Sequence, residues 1–214
     1  MHLPFFSITP DRTKRKLTAA KGGNMSKVYI LMADGFEEIE GITVVDLLRR
    51  ARIDIKMVSI TDTLKVVTSH NIEIKADILL SNIINEGEQE MADMLVLPGG
   101  MKGTNNLKAS AEVDSLIRKY QAAGKYLAAV CAAPTVYGEK GLLEGKKATC
   151  YPGLEDGLVG AVKMKDNVVV DGQFITSRGF GTSIDFGLKM IELLISAEKA
   201  QEIGTQIVYF DQNR

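Results

Sequence analysis

Short runs in which apolar residues follow one another without polar alternation recur along this chain: Val28-Tyr29-Ile30-Leu31-Met32-Ala33, Met94-Leu95-Val96-Leu97 and Leu127-Ala128-Ala129-Val130. A strand with one wet face alternates apolar and polar side chains; a strand covered on both faces does not. Such runs demand a parallel sheet held between layers of helix, and helical periodicity fills the stretches between them. The order opens with a strand over 27–33, a helix over about 37–51 and a strand over 54–60. Residues 66–74 predict one or two short strands in a hairpin-like excursion, and 94–97 a strand ending in the turn Pro98-Gly99-Gly100. Ser110 caps a helix in which Val113, Leu116, Ile117 and Tyr120 share one face, with Gly124 placed to end it. A strand over 125–130 then runs directly into Cys131 and the helix start Ala132-Ala133-Pro134. Beyond it come a short strand over 148–151, β signals at 161–164, 168–170 and 174–177, and a turn Arg178-Gly179-Phe180-Gly181. A long helix with Ile184, Leu188, Ile191 and Ile195 on one face follows, and Ser196 caps a last helix from 197 to about 208. No internal repeat or linker interrupts this order. The fold class is therefore α/β, a doubly wound layer in which ligands bind outside the carboxyl ends of the strands.

Composition narrows the partners. A net charge of −1 over 214 residues gives no general attraction to nucleic acid or anionic lipid, and no apolar run approaches the ~18 residues of a membrane span. Neither nucleic acid nor membrane is an expected partner. The two cysteines, Cys131 and Cys150, make no disulfide framework and, with only His2 and His70, no zinc pattern, so a reducing, cytoplasmic setting without a metal is expected. The first 24 residues set Arg12, Lys14, Arg15, Lys16 and Lys21 against the single acid Asp11. They read as a disordered extension upstream of a natural start at Met25, with one domain over 25–214, although their basic character also permits a transit segment.

Four stretches can carry chemistry. Ala129 and Ala133 leave room for a sharp strand-to-helix turn at Cys131, where a helix start and free backbone N–H groups would favour a thiolate. A cysteine there serves equally as a small buried hydrophobe. In Asp34-Gly35-Phe36-Glu37-Glu38-Ile39-Glu40 the acids suit the first turn of a helix, but Glu40 lies beside the apolar Val44-Val45-Leu48 face. Pointing inward it would hold its proton and act as an acid or base. Leu97-Pro98-Gly99-Gly100-Met101-Lys102-Gly103 can aim backbone N–H groups at a developing oxyanion, or be only a turn. Thr176-Ser177-Arg178-Gly179-Phe180-Gly181-Thr182-Ser183 can bring Arg178 to a site, or simply cap a helix.

Together with Ala129-Val130-Cys131-Ala132-Ala133-Pro134, these motifs in this order resemble the ThiJ/PfpI superfamily, in its branch of the parkinsonism-associated protein deglycase, from about Ser26 to Val208. The resemblance implies a flavodoxin-like sandwich of the class I glutamine amidotransferase-like kind, a homodimer, and a nucleophile-elbow cysteine paired with a glutamate, here Cys131 with Glu40. Glu37 and Glu38 match neighbouring positions without that role. Members of the family are described as glutathione-independent glyoxalases, as deglycases and as oxidation-sensing chaperones. The first reading implies small reactive aldehydes as substrates, no cofactor, and oxyanion support from Gly99, Gly100 and Ala132. The oxidation-sensing reading implies oxidation of Cys131 to sulfinate beside a protonated Glu40. Where some members have histidine before a proline, this chain has Tyr151-Pro152, preceded by Cys150. Cys–His chemistry of the peptidase kind is thereby disfavoured, Tyr151 and Arg178 become candidate substrate or supporting residues, and His70 is expected at the surface or an interface. Cys150 reads as a neutral strand cysteine rather than a resolving thiol.

Overall fold

The computed structural model describes residues 25–85 and 91–210, so the expectation for residues 1–24 falls outside the described residues. In β1 (Lys27–Met32), Val28, Ile30 and Met32 pack into one core layer and Tyr29 and Leu31 into the other. This two-sided burial is the reason the run shows no alternation. The chain continues through α1 (Glu38–Arg50), β2 (Asp54–Ser59), β3 (Lys65–Val67), β4 (Glu73–Lys75), β5 (Ile78–Leu79), α2 (Leu80–Asn85) and β6 (Met94–Leu97). Then come α3 (Met101–Ala109), α4 (Ala111–Ala122), β7 (Tyr126–Val130), α5 (Pro134–Glu139), β8 (Lys147–Ala148) and β9 (Val162–Lys163). β10 (Val168–Asp171), β11 (Phe174–Ser177), α6 (Ser183–Leu194) and α7 (Ala197–Gln206) complete it.

Seven strands form the main sheet in the order β10-β11-β7-β6-β1-β2-β5, parallel except for β10 against β11. Residues of α1, α6 and α7 cover one face, among them Val44, Leu48, Phe186, Ile191 and Ile203. Leu107 of α3, Val113, Ile117 and Tyr120 of α4, and Tyr137 of α5 cover the other. Leu95 and Leu97 of β6 are fully buried, each contributing roughly 1.5–3 kcal/mol of transfer free energy. The register brings the carboxyl ends of the central strands level: Ser177 pairs with Val130, Ala129 with Leu97, and Val96 with Ile30. Among the described residues no helix is long and apolar enough to cross a membrane.

α4 takes its expected form, with the Ser110 hydroxyl accepting from Val113 N at 3.2 Å and Gly124 at φ +66°. The 66–74 excursion is the antiparallel pair β3–β4, apart from the main sheet. Three expectations need correction. Residues 101–103, offered by the sequence as part of a glycine-rich turn, open α3, which forms despite poor helix formers such as Gly103 and Asn105. Packing overrides propensity there, because a Cβ on Gly103 would lie 2.7 Å from Phe36 Cα. The strand expected over 148–151 is only β8, after which Thr149 N donates to the side-chain hydroxyl of Thr176 in β11 rather than to a strand carbonyl. Ile195, expected on the buried face of a long helix, lies just past the end of α6 and is 40% exposed.

Candidate active site

β1, β6, β7 and β11 are neighbours in the sheet, and the four motif loops leave their level carboxyl ends. Sequence segments far apart are brought together by this strand order alone. After β7 the chain bends at Cys131, whose φ of +63° lies in the left-handed region that non-glycine residues rarely occupy. Cys131 N donates to the Ser177 carbonyl at 3.0 Å and its own carbonyl accepts from Tyr151 N at 2.8 Å, so both neighbouring segments hold the bend. The sulfur is half-buried.

Glu40 lies one turn into α1 and is 1% exposed. The cap of the helix turns it inward: Glu37 Oε2 accepts from Glu40 N at 2.7 Å. Its carboxyl accepts from Gly99 N at 3.0 Å, from the Phe180 N–H and from the Cys131 thiol. Gly99 is the only residue type that fits between the two candidates, since a Cβ there would lie 2.5 Å from Cys131 Cβ and closer still to Glu40 Oε2. Gly100, at φ +83°, leaves its position open to the Gly35 carbonyl and Glu37 N, either of which a side chain would strike. The N–H groups of Gly100 and Ala132 point at the sulfur.

Burial pushes the Glu40 carboxyl up to about 7; the Glu37 charge adds to the shift, while the Cys131 thiol and the Gly99 and Phe180 N–H groups oppose it. Burial also pushes the Cys131 thiol up, to about 12, and the ionised Glu40 acts in the same direction through its charge and its hydrogen bond. The thiolate expected from a helix start is therefore corrected. α5 begins only at Pro134 and has six residues, so its dipole is weak, and a carboxylate sits against the sulfur. The thiol thus keeps its proton beside a carboxyl that exchanges its own near neutrality, and the ionised form of Glu40 takes the thiol proton when the sulfur reacts.

Of the remaining candidates, Tyr151 borders the site. Its Cδ2 is 3.4 Å, and Glu40 Oε1 3.6 Å, from the position a side chain on Gly179 would take. Arg178 does not join the pair: its guanidinium donates to the Lys165 carbonyl at 3.2 Å and its charge acts on Cys150. Cys150 packs into the core layer opposite the one Cys131 touches, and its thiol faces the Tyr151 carbonyl at 3.4 Å. His70 is exposed and its Nδ1 bonds Glu38 Oε1 at 2.8 Å. Glu37, Glu38 and His70 have ligand-type atoms within 4.8 Å of one another, but Glu37 is engaged in capping α1 and Glu38 in binding Ser69 and His70. They tie the β3–β4 turn to the helix start. The residue missed from sequence is Phe180, whose N–H reaches Glu40; its place after a glycine beside the candidate Arg178 was the available signal.

The DJ-1/PfpI family pattern matches residues 26–193. The chain is 35% identical over 204 residues to Protein DJ-1 homolog B of Arabidopsis thaliana, covering 94% of this chain and 46% of that protein. It thus spans about half the length of this and a second Arabidopsis relative. It is 29% identical over 180 residues to the glutathione-independent glyoxalase DJR-1.2 of Caenorhabditis elegans, covering 83% of this chain and 93% of that one. The oxidized Toxoplasma gondii DJ-1 structure superposes with a TM-score of 0.82 at 36% identity, covering 87% of this chain and 100% of that chain. The fold is the flavodoxin-like sandwich of these relatives. Because the match runs from β1 into α6, and so through every loop that borders the sulfur, this chain belongs to the DJ-1/PfpI family.

Proposed function

We propose that the chain is a cysteine-dependent, glutathione-independent glyoxalase or deglycase acting on methylglyoxal, glyoxal or their adducts, with Cys131 as nucleophile and Glu40 as general acid and base. The observation that carries this reading is the hydrogen bond between a half-buried thiol and a fully buried carboxyl, with two backbone N–H groups aimed at the same sulfur. A relative named as a glyoxalase supports the same chemistry.

The sulfur attacks the aldehyde carbon as its proton passes to the Glu40 carboxylate; the C–S bond forms and the carbonyl π pair moves to oxygen. The Gly100 and Ala132 N–H groups stabilise that oxyanion, with Gly99 leaving the space in which it forms. Glu40 returns the proton to oxygen, giving a hemithioacetal. Its carboxylate then removes the hydrogen from the former aldehyde carbon, and the resulting enediol is reprotonated at the adjacent carbon. A thioester of Cys131 results, in which one carbon has been oxidised and its neighbour reduced. Water cleaves the thioester to the hydroxy acid and restores the thiol, so methylglyoxal plus water becomes lactate without an external oxidant or reductant. A carboxyl that titrates near neutrality suits both directions of transfer. The test is lactate formation from methylglyoxal in the absence of glutathione. Cys131→Ser should abolish it, and turnover by that variant at the wild-type level would refute the reading.

A second reading draws on the same half-buried sulfur: oxidation by peroxide to sulfinate, whose oxygens the Gly100 and Ala132 N–H groups would bind, in a redox-sensing chaperone or stress-response protein. Peptide mass after mild peroxide separates the two, because an unmodified Cys131 excludes it. A homodimer is the expected assembly, and Ile39 and Ile42, exposed on α1 beside the partly buried Ile184 and Ile207, are the apolar face we assign to it. Charge introduced by Ile42→Glu should yield a monomer in sedimentation.

A further inference from the structure

We propose that Tyr151 and Phe180 form an aromatic rim that makes this site selective for planar aromatic α-oxoaldehydes over methylglyoxal, an inference that rests on the glyoxalase reading above. Single exposed apolar side chains are ordinary on a protein surface. These two differ in where they stand and in what they leave undone. Tyr151 is 52% exposed and Phe180 59% exposed, and neither belongs to either core layer. Their backbones, by contrast, are built into the site: Tyr151 N bonds the Cys131 carbonyl, and Phe180 N–H bonds Glu40. The fold thus fixes both main chains beside the pair, with the Tyr151 ring edge against Gly179, while neither side chain enters a core layer.

Gly179 separates the two aromatics. The space its missing side chain leaves lies 3.4 Å from Tyr151 Cδ2 and 3.6 Å from Glu40 Oε1, which opens a path from the ring edge down to the carboxyl. The ring pairs among the described residues are Tyr137–Phe174 and Tyr209–Phe210, so the faces of Tyr151 and Phe180 are not spent on each other. A flat ligand whose aldehyde carbon reaches the sulfur extends its other end past Glu40 toward these faces. An aryl ketone is coplanar with its ring and can stack there in offset or edge-on geometry; a methyl group fills almost none of that surface. The chemistry is unchanged: phenylglyoxal plus water gives mandelate by the same addition, proton transfer and hydrolysis.

The experiment compares kcat/KM for phenylglyoxal with that for methylglyoxal in the wild type, Tyr151→Phe and the double variant Tyr151→Ala/Phe180→Ala. Reading the ratio removes any effect of misfolded enzyme, which lowers both rates alike. The ratio should fall about ten-fold in the double variant and hold in Tyr151→Phe, which keeps the ring. An unchanged ratio in the double variant overturns the inference while leaving the glyoxalase reading intact. If no aldehyde is turned over, that reading fails, and the rim is tested by binding alone. Benzoylformate should then protect Cys131 from iodoacetamide at lower concentration than pyruvate does, with the advantage lost in the double variant. Equal protection by the two acids overturns the rim independently of turnover.

Discussion

Glu40→Gln isolates one buried titration without changing the shape of the side chain. The folded carboxyl titrates at about 7 against an ordinary 4.5, so its protonated form is the one the fold favours. Stability from this group is therefore fully present below about pH 4.5 and is lost as pH rises through about 7. The interval corresponds to about 3 kcal/mol, of which about 2–3 kcal/mol falls between roughly pH 5 and 8.5. The titratable neighbours that face Glu40 are Glu37 on the cap of its own helix and Cys131 from the loop after β7; Gly99 and Phe180 contribute only N–H groups. Working above about pH 5 keeps clear of Glu38 and Asp114, whose carboxyls are held below their usual range. Urea unfolding is the assay. Across this window the wild-type midpoint should drop by about 1 M relative to the variant, for a typical urea dependence of a protein this size. Parallel pH profiles in the two proteins would refute the claim that Glu40 is buried against its own charge.

Other outcomes follow from the same geometry. Alkylation of Cys131 by iodoacetamide should still be accelerating at the highest accessible pH, and Glu40→Gln should move the profile to lower pH because the charge leaves the thiol and a neutral amide replaces the ionic acceptor; a shift to higher pH contradicts this. Gly99→Ala places a methyl 2.5 Å from Cys131 Cβ and 2.9 Å from the Val130 carbonyl, so it should lower thermal stability and turnover together. The overpacking cost is about 1–3 kcal/mol, and a variant as stable and active as the wild type would show that a methyl group fits between Cys131 and Glu40. Tyr137→Phe removes a buried hydroxyl that donates to the Ala128 carbonyl at 3.1 Å; urea titration should report a loss of about 1 kcal/mol, and no loss would mean the bond contributes nothing.

The sheet was legible because double-sided burial leaves its mark on each strand separately: Met94 to Leu97 are buried without exception, and they are apolar without exception. Local signals sufficed for α4, whose cap, apolar face and terminating glycine all lie within a short stretch. α3 was not legible, because Gly103, Asn105 and Asn106 dilute its helix formers and the close approach of Phe36 that requires Gly103 is made from across the molecule. For the candidate site, the meeting of Cys131 with Glu40 was readable from motif order, and so was the upward push that burial gives an inward-pointing carboxyl; the upward push on the thiol was not. A helix start beside a cysteine suggests a negative sulfur only while the length of that helix and the charge opposite are unknown. Phe180 escaped notice because its contact with Glu40 is made by the main chain, which leaves no trace in side-chain type.

The loops that carry Glu40, Gly99, Cys131 and Phe180 leave β1, β6, β7 and β11, and the outermost strands of the main sheet, β10 and β5, carry none of them. Partial melting begins where a strand has a neighbour on one side only, so fraying from either border reaches the sulfur last. Such a molecule shelters its reactive centre in the portion that breathes least. Under mild denaturant its chemistry should persist after the periphery has begun exchanging amide protons, and should vanish only when the entire sheet comes apart.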